Sequence, residues 1–395
     1  PEMSLDNITK IKLVYFFRSF FFFSPIITLF YFSRGLDTFQ VVSLEAFLIL
    51  TVLLTEVPTG ILADKIGRKY SLILLVGLFF IGNIMTIYSH TYILFIIIQI
   101  IFGIAISFGS GAIEALVYDT LKQEKKANLM SKEWGSIQAH ALFATVIAVV
   151  IGGFIARSHD PKTFIITIWL HLIFSGIALV LALFVKETKH YKQIKRETPL
   201  ILFKNSAKGI LENKSLRKIV YLTVFSSGFA HILMFLFQPY FIDAKVNNTL
   251  FGVAMGVGIL ISAILTKQAH AIEKKLGMKS TLLIFTILPG VLYISMAFLI
   301  GPIISFALFI LLKGIMDVRQ PLLSQYQNNH ISSHNRATAL SIISMITSLY
   351  LVIMRFAMGK LANYNITTTF IVMGSIIIIG SLIFQINSAH SCCKK

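Results

Sequence analysis

Runs of about 20 consecutive apolar residues follow one another along this sequence, and an α-helix needs that length to cross about 30 Å of hydrocarbon. No water bonds the backbone within lipid, so each run must satisfy its own N–H and C=O groups and forms a helix. Charged residues make up only 13% of the chain, about half the usual share in soluble domains, and mean hydropathy is +0.81. The sequence therefore predicts an all-α integral membrane protein with twelve transmembrane spans: 10–34, 39–61, 70–89, 92–120, 134–157, 162–185, 216–241, 249–271, 280–299, 302–328, 336–358 and 366–387.

The distribution of Lys and Arg predicts the orientation of these spans. With the N-terminus in the cytoplasm, 26 of the 35 Lys and Arg residues fall in cytoplasmic segments or the adjoining span ends, 5 fall on the opposite face or its span ends, and 4 lie deeper inside spans. Such a bias is the positive-inside rule. It places both termini in the cytoplasm, and it accounts for the net charge of +18 without a nucleic-acid partner.

A basic polar segment divides the twelve spans into six and six. We predict an N-terminal six-helix half over 1–185, a basic cytoplasmic linker over 186–215, and a C-terminal six-helix half with a short cytoplasmic tail over 216–395. Within the linker, Thr198 and Pro199 are typical of a helix cap and first helical residue, and the apolar spacing after them favours a helix on the membrane surface.

The two halves echo each other in sequence. GILADKIGRKYSL at 60–72 aligns with HAIEKKLGMKSTL at 270–282, and Pro25 of the first span corresponds to Pro239 of the seventh. Two related six-helix halves that enclose a cavity near the bilayer midplane are typical of secondary transporters.

The segment GILADKIGRK at 60–69 lies between the second and third spans. Its glycines permit a tight turn, and Asp64 can pair with Arg68 or with a neighbouring helix end. We interpret the turn as a cytoplasmic gate formed by Gly60, Asp64, Gly67, Arg68 and Lys69. A purely structural loop is the alternative. The segment resembles the major facilitator signature Gly-x-Leu-Ala-Asp-Arg-x-Gly-Arg-Lys, with Lys65 at the first basic position.

The resemblance covers almost the whole chain through the twelve-span layout. The strings EVPTGILADKIGRK and SGAIEALVYD are similar to bacterial multidrug and permease-type members of the major facilitator superfamily. The resemblance implies a monomer in the bacterial plasma (inner) membrane that works by alternating access. Two motifs of drug/proton antiporters are degraded, because Gln99 stands where the fourth span usually carries Arg, and Ala148–Val149 stands for a Gly-Pro pair in the fifth.

Ionisable side chains inside spans are costly and are functional candidates by default. The resemblance implies that the first, fourth, seventh and tenth spans line the cavity. We assign proton coupling to Glu114, Asp317 and His231, with Glu114 preferred because it has no basic neighbour in its own helix and is expected to be buried. Substrate binding is assigned to Arg18, Lys313 and Arg319, although Lys313 and Asp317 have the spacing of a self-neutralising ion pair. This excess of positive charge favours an anionic substrate.

These features predict a secondary active transporter for a small organic solute, with proton-coupled export as the first choice. Proton symport that imports an organic anion or a carboxylate-type siderophore is the alternative, and a non-transporting sensor or scaffold is the rival of another class. The sequence contains no P-loop, no HExxH and no Cys/His metal cluster, so we expect no enzyme, no cofactor and no metal. The expected partners are a small solute, protons and the lipid bilayer.

The first testable prediction concerns topology. A cysteine introduced at Ser206 in a background without Cys392 and Cys393 will react with an impermeant maleimide only after the cells are opened, whereas a cysteine at Asn247 will react in intact cells. Labelling of position 206 from outside would contradict the orientation.

Overall fold

The computed structural model of the protein describes residues 6–158, 160–188, 214–227, 229–330 and 336–384, and the described chain is helical. The N-terminal half contains eight α-helices: α1 (Asn7–Arg18), α2 (Ile27–Ser33), α3 (Thr38–Ile66), α4 (Arg68–Tyr88), α5 (Tyr92–Gly109), α6 (Ala112–Gln123), α7 (Met130–Ile155) and α8 (Pro161–Leu183). Residues 189–213, with the surface helix predicted in the linker, lie outside the described residues.

The C-terminal half also contains eight α-helices in its described part. They are α9 (Lys214–Ser227), α10 (Ala230–Asp243), α11 (Leu250–Leu276), α12 (Met278–Phe298), α13 (Pro302–Met316), α14 (Arg319–His330), α15 (Arg336–Tyr364) and α16 (Ile366–Ile383).

Nine of the twelve predicted spans appear in the described residues as helical segments long and apolar enough to cross a membrane. The other three, the first, seventh and tenth, are each divided between two shorter helices: α1 with α2, α9 with α10, and α13 with α14. Hydropathy averages over a break, so the sequence predicted continuous spans at these places. The fourth span is also interrupted, between α5 and α6, although the two helices together retain a span's length.

The break in the first span is an unwound segment from Ser19 to Phe23 that ends in a short 3₁₀ turn containing Pro25. In the unwound segment the carbonyls of Ser19 and Phe20 accept the N–H groups of Phe21 and Phe22 at 2.9 and 3.0 Å, and neighbouring helices add further bonds to them. Thr145 of α7 donates its hydroxyl to the carbonyl of Ser19 at 3.1 Å, and His171 of α8 donates Nδ1–H to the carbonyl of Phe20 at 2.9 Å. Irregular backbone at membrane depth is tolerated where protein groups supply such bonds.

The breaks in the fourth and tenth spans also have local causes. In the fourth span Gly111 has φ +70°, a conformation that favours glycine. In the tenth span Pro321 has no N–H to donate to the carbonyl of Asp317, and Gln320 N–H bonds that carbonyl instead at 3.2 Å. The helix is therefore fully interrupted just before Pro321, between Met316 and Arg319. In the seventh span the carbonyl of Phe229 accepts a bond of 2.8 Å from the Tyr293 hydroxyl.

Backbone contacts divide the described chain into two compact units, one over Pro1–Gln193 with Asn248–Gly256 and one over Ile194–Asn247 with Val257–Lys395. In the first, α1, α4, α6, α7 and α8 share an apolar core that includes Ile11, Leu72 and Leu116. In the second, α12 and α16 cross where Gly290 and Gly374 let the two backbones approach.

The structure of the first break predicts a stabilising role for His171. Replacement His171→Phe removes the Nδ1–H donor to the Phe20 carbonyl, which keeps only the N–H of Phe22 at 3.0 Å, and the loss of one such hydrogen bond costs about 0.5–1.5 kcal/mol. We expect a lower midpoint of thermal unfolding for the detergent-solubilised variant. His140→Phe on the exposed face of α7 is the matched control, since His140 bonds only a carbonyl of its own helix. Equal midpoints for the two variants would contradict this role.

Candidate functional site

The signature turn joins α3 to α4 through Gly67, which has φ +107°. The guanidinium of Arg68 donates to the carboxylate of Asp119 on α6 and to the carbonyl of Ala115 at 2.9 Å. The Arg68 and Asp119 side chains are 12% and 6% exposed, so the pair is nearly closed to solvent. Arg68 therefore ties the turn to the second half of the fourth span. The sequence analysis gave Arg68 as one of two possible partners of Asp64, and in the structure Arg68 pairs with Asp119 instead.

Asp64 is exposed near the C-terminal end of α3. It makes no hydrogen bond or ion pair with the residues that the structure describes. Gly60 is exposed as well, and a Cβ there would meet no atom within 4 Å. The assignment of Asp64 and Gly60 to a gate stays a prediction.

Glu187, at the start of the linker, is a member of this site that the sequence analysis missed. Its Oε2 accepts the backbone N–H of Lys69 at 2.9 Å, and a Cβ on Gly67 would overlap the same oxygen. A carboxylate in this position bonds an otherwise free N–H and complements the dipole of α4. Asn7 holds the preceding residue through bonds of 2.8 and 3.1 Å to the backbone of Lys186.

Arg18 is the last residue of α1, next to the unwound segment. Its guanidinium lies over the rings of Tyr15 and Phe79, at 5.2 and 5.8 Å from their centroids. It makes no hydrogen bond or ion pair with a described residue. A small pocket beside it is also lined by His171 and Ser175. Both nitrogens of His171 are engaged, by the Phe20 carbonyl and by the Asn83 amide at 3.4 Å, which is the pattern of a neutral imidazole.

The expected burial of Glu114 is not observed. The side chain is exposed, and it lies in the first turn of α6, where the helix dipole favours a carboxylate. It has no hydrogen bond or ion pair among the described residues. Ser110, at the break, donates instead to Glu56 at 3.0 Å. The assignment of Glu114 to proton coupling stays a prediction without the burial that motivated it.

Lys313 and Asp317 form the i,i+4 ion pair that their spacing allowed, with Nζ and Oδ2 3.1 Å apart. The hydroxyl of Ser262 donates to the same oxygen at 3.1 Å. The lysine stem packs against Gly258, where a Cβ would lie 2.8 Å from Cγ of Lys313. Lys313 is only 16% exposed, whereas Asp317 is 49% exposed, so the carboxylate is the accessible partner.

A cavity of about 380 Å³ lies within the second unit, in the size range of small-molecule sites. Three of the predicted residues meet there, since His231, Asp317 and Arg319 all line it. Arg319 is 5% exposed and makes no hydrogen bond or ion pair with a described residue. Nothing in the described part of the chain therefore neutralises its charge by direct contact.

The sequence analysis missed the uncharged polar residues of this cavity. They include Gln320 and Gln327 of α14 and Ser344 and Ser348 of α15. Their spacing is that of one helix face, but an isolated Ser or Gln in a span gives no signal of function. No group of three or more His, Cys, Asp or Glu within the described residues could hold a metal ion.

The ion pair beneath the signature turn predicts a double-mutant result. Asp119→Leu leaves the nearly buried Arg68 without its counter-charge, which costs about 3 kcal/mol and lowers the thermal midpoint. The double variant Arg68→Met with Asp119→Leu should recover most of that loss, because no unpaired charge remains. Additive losses would show that the pair is not coupled.

Asp64→Asn is the comparison at the same turn. Since Asp64 is exposed, its replacement should change the free energy of unfolding by less than about 0.5 kcal/mol. If Asp64 belongs to a gate, the correctly folded variant will transport more slowly than wild type. A wild-type rate would assign the residue to a structural loop.

Comparisons with known proteins agree with this architecture. Residues 13–349 match the sequence profile of the Major Facilitator Superfamily. An uncharacterised MFS-type transporter of Bacillus subtilis, YxaM, is 23% identical over 378 residues, 92% of this chain and 91% of the relative. An uncharacterised transporter of Buchnera aphidicola is 28% identical over 200 residues, 48% of this chain and 46% of the relative.

Solved structures of low identity share the fold. The nucleoside transporter NupG superposes with a TM-score of 0.78 at 14% identity, over 96% of this chain and 98% of its own. The D-xylose-proton symporter superposes with a TM-score of 0.73 at 15% identity, over 98% of both chains. With a family profile that covers most of its length, the chain belongs to the Major Facilitator Superfamily and is a multi-pass membrane transporter of that type.

Proposed function

We propose that this protein is a proton-coupled secondary transporter for a small organic anion, and that the anion binds at Arg319. The observation that carries the proposal is a nearly buried guanidinium that lines a 380 Å³ cavity and has no hydrogen bond or ion pair with a described residue. A charge in this condition is costly, and an anionic ligand would remove the cost. Arg319 also begins α14, where the helix dipole adds positive potential.

Arg18 is a weaker candidate for the anion. It ends α1, where free carbonyls and the negative end of the helix dipole favour a cation, and two aromatic rings lie beneath its guanidinium. The pocket beside it is far smaller than the cavity at Arg319. We assign Arg18 a structural role at the break, with Arg319 as the substrate-binding arginine.

Proton coupling is assigned to Asp317 in place of Glu114. Asp317 lines the anion cavity, and its carboxylate neutralises Lys313. A proton on Asp317 cancels that negative charge and leaves Lys313 and Arg319 as two cations near one cavity. Anion binding and protonation therefore favour each other, and by linkage the effect is reciprocal. His231, which lines the same cavity, is the second group placed to exchange the proton.

This mutual preference favours symport over antiport. An antiporter needs the proton and the substrate to compete for the site, whereas here each ligand improves the site for the other. We therefore propose import of the anion with a proton across the bacterial inner membrane as the function, and export becomes the alternative. The D-xylose-proton symporter, similar in fold, is a protein whose name states proton symport.

The test uses proteoliposomes loaded with a pH-sensitive dye and clamped to zero membrane potential. External addition of organic anions, both hydroxylated and plain, should acidify the lumen when the wild-type protein is present. Arg319→Gln should weaken the apparent affinity for the anion about tenfold to a hundredfold, the worth of a bond to a charged group. Absence of proton movement with every anion of the panel would refute the proposed function.

Asp317→Asn separates coupling from binding. The variant mimics the protonated carboxyl, so anion exchange should continue while anion-driven acidification is lost. Glu114→Gln is the matched comparison on the other half and should keep proton movement. If Glu114→Gln loses it and Asp317→Asn keeps it, the assignment of the coupling residue is reversed.

A further inference from the structure

The uncharged residues that line the cavity at Arg319 indicate the chemical character of the substrate beyond its anionic group. Thirteen described residues line this cavity, and nine of them are polar. No Phe, Tyr or Trp is among the thirteen, although the chain contains 34 Phe and 13 Tyr. Sites for lipophilic or ring-bearing ligands are lined mainly by apolar and aromatic side chains. The lining therefore disfavours a lipophilic drug or a ligand held by ring stacking.

Several of the polar groups are free to bond a ligand. The side chains of Gln320, Ser344 and Ser348 make no hydrogen bond with a described residue, and each lines the cavity. Thr347 differs, because its hydroxyl donates to the carbonyl of Ile343 in its own helix at 2.8 Å. Gln327 differs as well, because its amide donates to Thr223 at 3.1 Å. The unused groups are thus an amide beside Arg319 on α14 and two hydroxyls on α15.

The hydroxyls of Ser344 and Ser348 are far enough apart to bond two different polar groups of one ligand. Ser344 and Ser348 are four residues apart in one helix, so they lie on the same face and are separated by about 6 Å along its axis. A single polar atom cannot bond both at that separation, whereas neighbouring hydroxyls along a chain or ring can. Polar groups that the ligand leaves unpaired would carry a desolvation penalty, so the site selects for ligands that match them.

We propose that the substrate is a polyhydroxylated monoanion, of the chemical class of a sugar acid. Its anionic group binds Arg319 at the start of α14, and its hydroxyls bond Gln320, Ser344 and Ser348. This inference rests on the proposed anion site and adds the class of molecule that fills it.

The experiment compares three probes of equal chain length on the purified full-length protein. D-gluconate carries both the carboxylate and the hydroxyls, hexanoate carries only the carboxylate, and sorbitol carries only the hydroxyls. Affinity is measured from the ligand-dependent rise in thermal midpoint. We expect gluconate to bind at least about tenfold more tightly than either partial analogue, because each analogue leaves part of the site unpaired.

Variants locate the effect in the cavity. Ser344→Ala with Ser348→Ala should reduce the affinity for gluconate about tenfold without changing that for hexanoate. Ser295→Ala is the matched control, since that half-buried serine of α12 bonds only the carbonyl of Val291 in its own helix. Arg319→Gln should reduce binding of gluconate and hexanoate alike and leave sorbitol unaffected.

The outcomes separate the two proposals. Equal affinities for hexanoate and gluconate would overturn the hydroxylated class and leave the anion site standing. Binding of sorbitol as tight as that of gluconate, or binding of none of the three, would overturn this inference, and tight sorbitol binding would also remove the support for an anion at Arg319. Loss of gluconate affinity in the Ser295→Ala control equal to that of the serine pair would overturn the placement of the hydroxyls.

Discussion

The interruptions of the first, fourth, seventh and tenth spans impose the main physical constraint on this structure. Each break frees backbone groups at membrane depth, where no water can bond them and each unmet bond costs several kcal/mol. At the first break the hydroxyl of Thr145 and the imidazole of His171 each add a bond to a carbonyl that also accepts a backbone N–H, and at the seventh the hydroxyl of Tyr293 does the same. Side chains of the uninterrupted helices α7, α8 and α12 thus bond the backbone at the first and seventh breaks.

The breaks also create helix ends inside the membrane, and the dipole at each end stabilises or destabilises a nearby charge. Arg18 stands at a C-terminal end and Glu114 in a first turn, so the helix dipole favours both charges. In the tenth span the order is reversed. Asp317 caps the C-terminal end of α13 and Arg319 begins α14, so the dipoles disfavour both charges. Asp317 forms an ion pair with Lys313 and accepts a hydrogen bond from Ser262, whereas Arg319 has no hydrogen bond or ion pair with a described residue.

Some of this arrangement could be predicted from sequence and some could not. The apolar runs predicted nine spans that appear in the described residues at membrane-crossing length, eight of them uninterrupted, and the i,i+4 spacing of Lys313 and Asp317 anticipated their ion pair. The pairing of Arg68 with Asp119 joins residues far apart in the chain, so no local pattern indicates it. Glu114 was expected to be buried because its span was treated as continuous. The break at Gly111 moves it to an exposed first turn, and hydropathy cannot detect such a break.

The same reversal in the tenth span is the physical basis of the proposed linkage between proton and anion. A carboxylate at an unfavourable helix end is stabilised chiefly by Lys313, and the distance from Nζ to Oδ2 is 3.1 Å. An anion at Arg319 adds negative charge beside Asp317 and makes the charged carboxyl less favourable, so it draws a proton. A proton on Asp317 in turn releases the positive charge of Lys313 toward the anion. In the proposed mechanism, two cations and one carboxylate on a single interrupted span couple the two ligands, and His231 of the seventh span lines the same cavity.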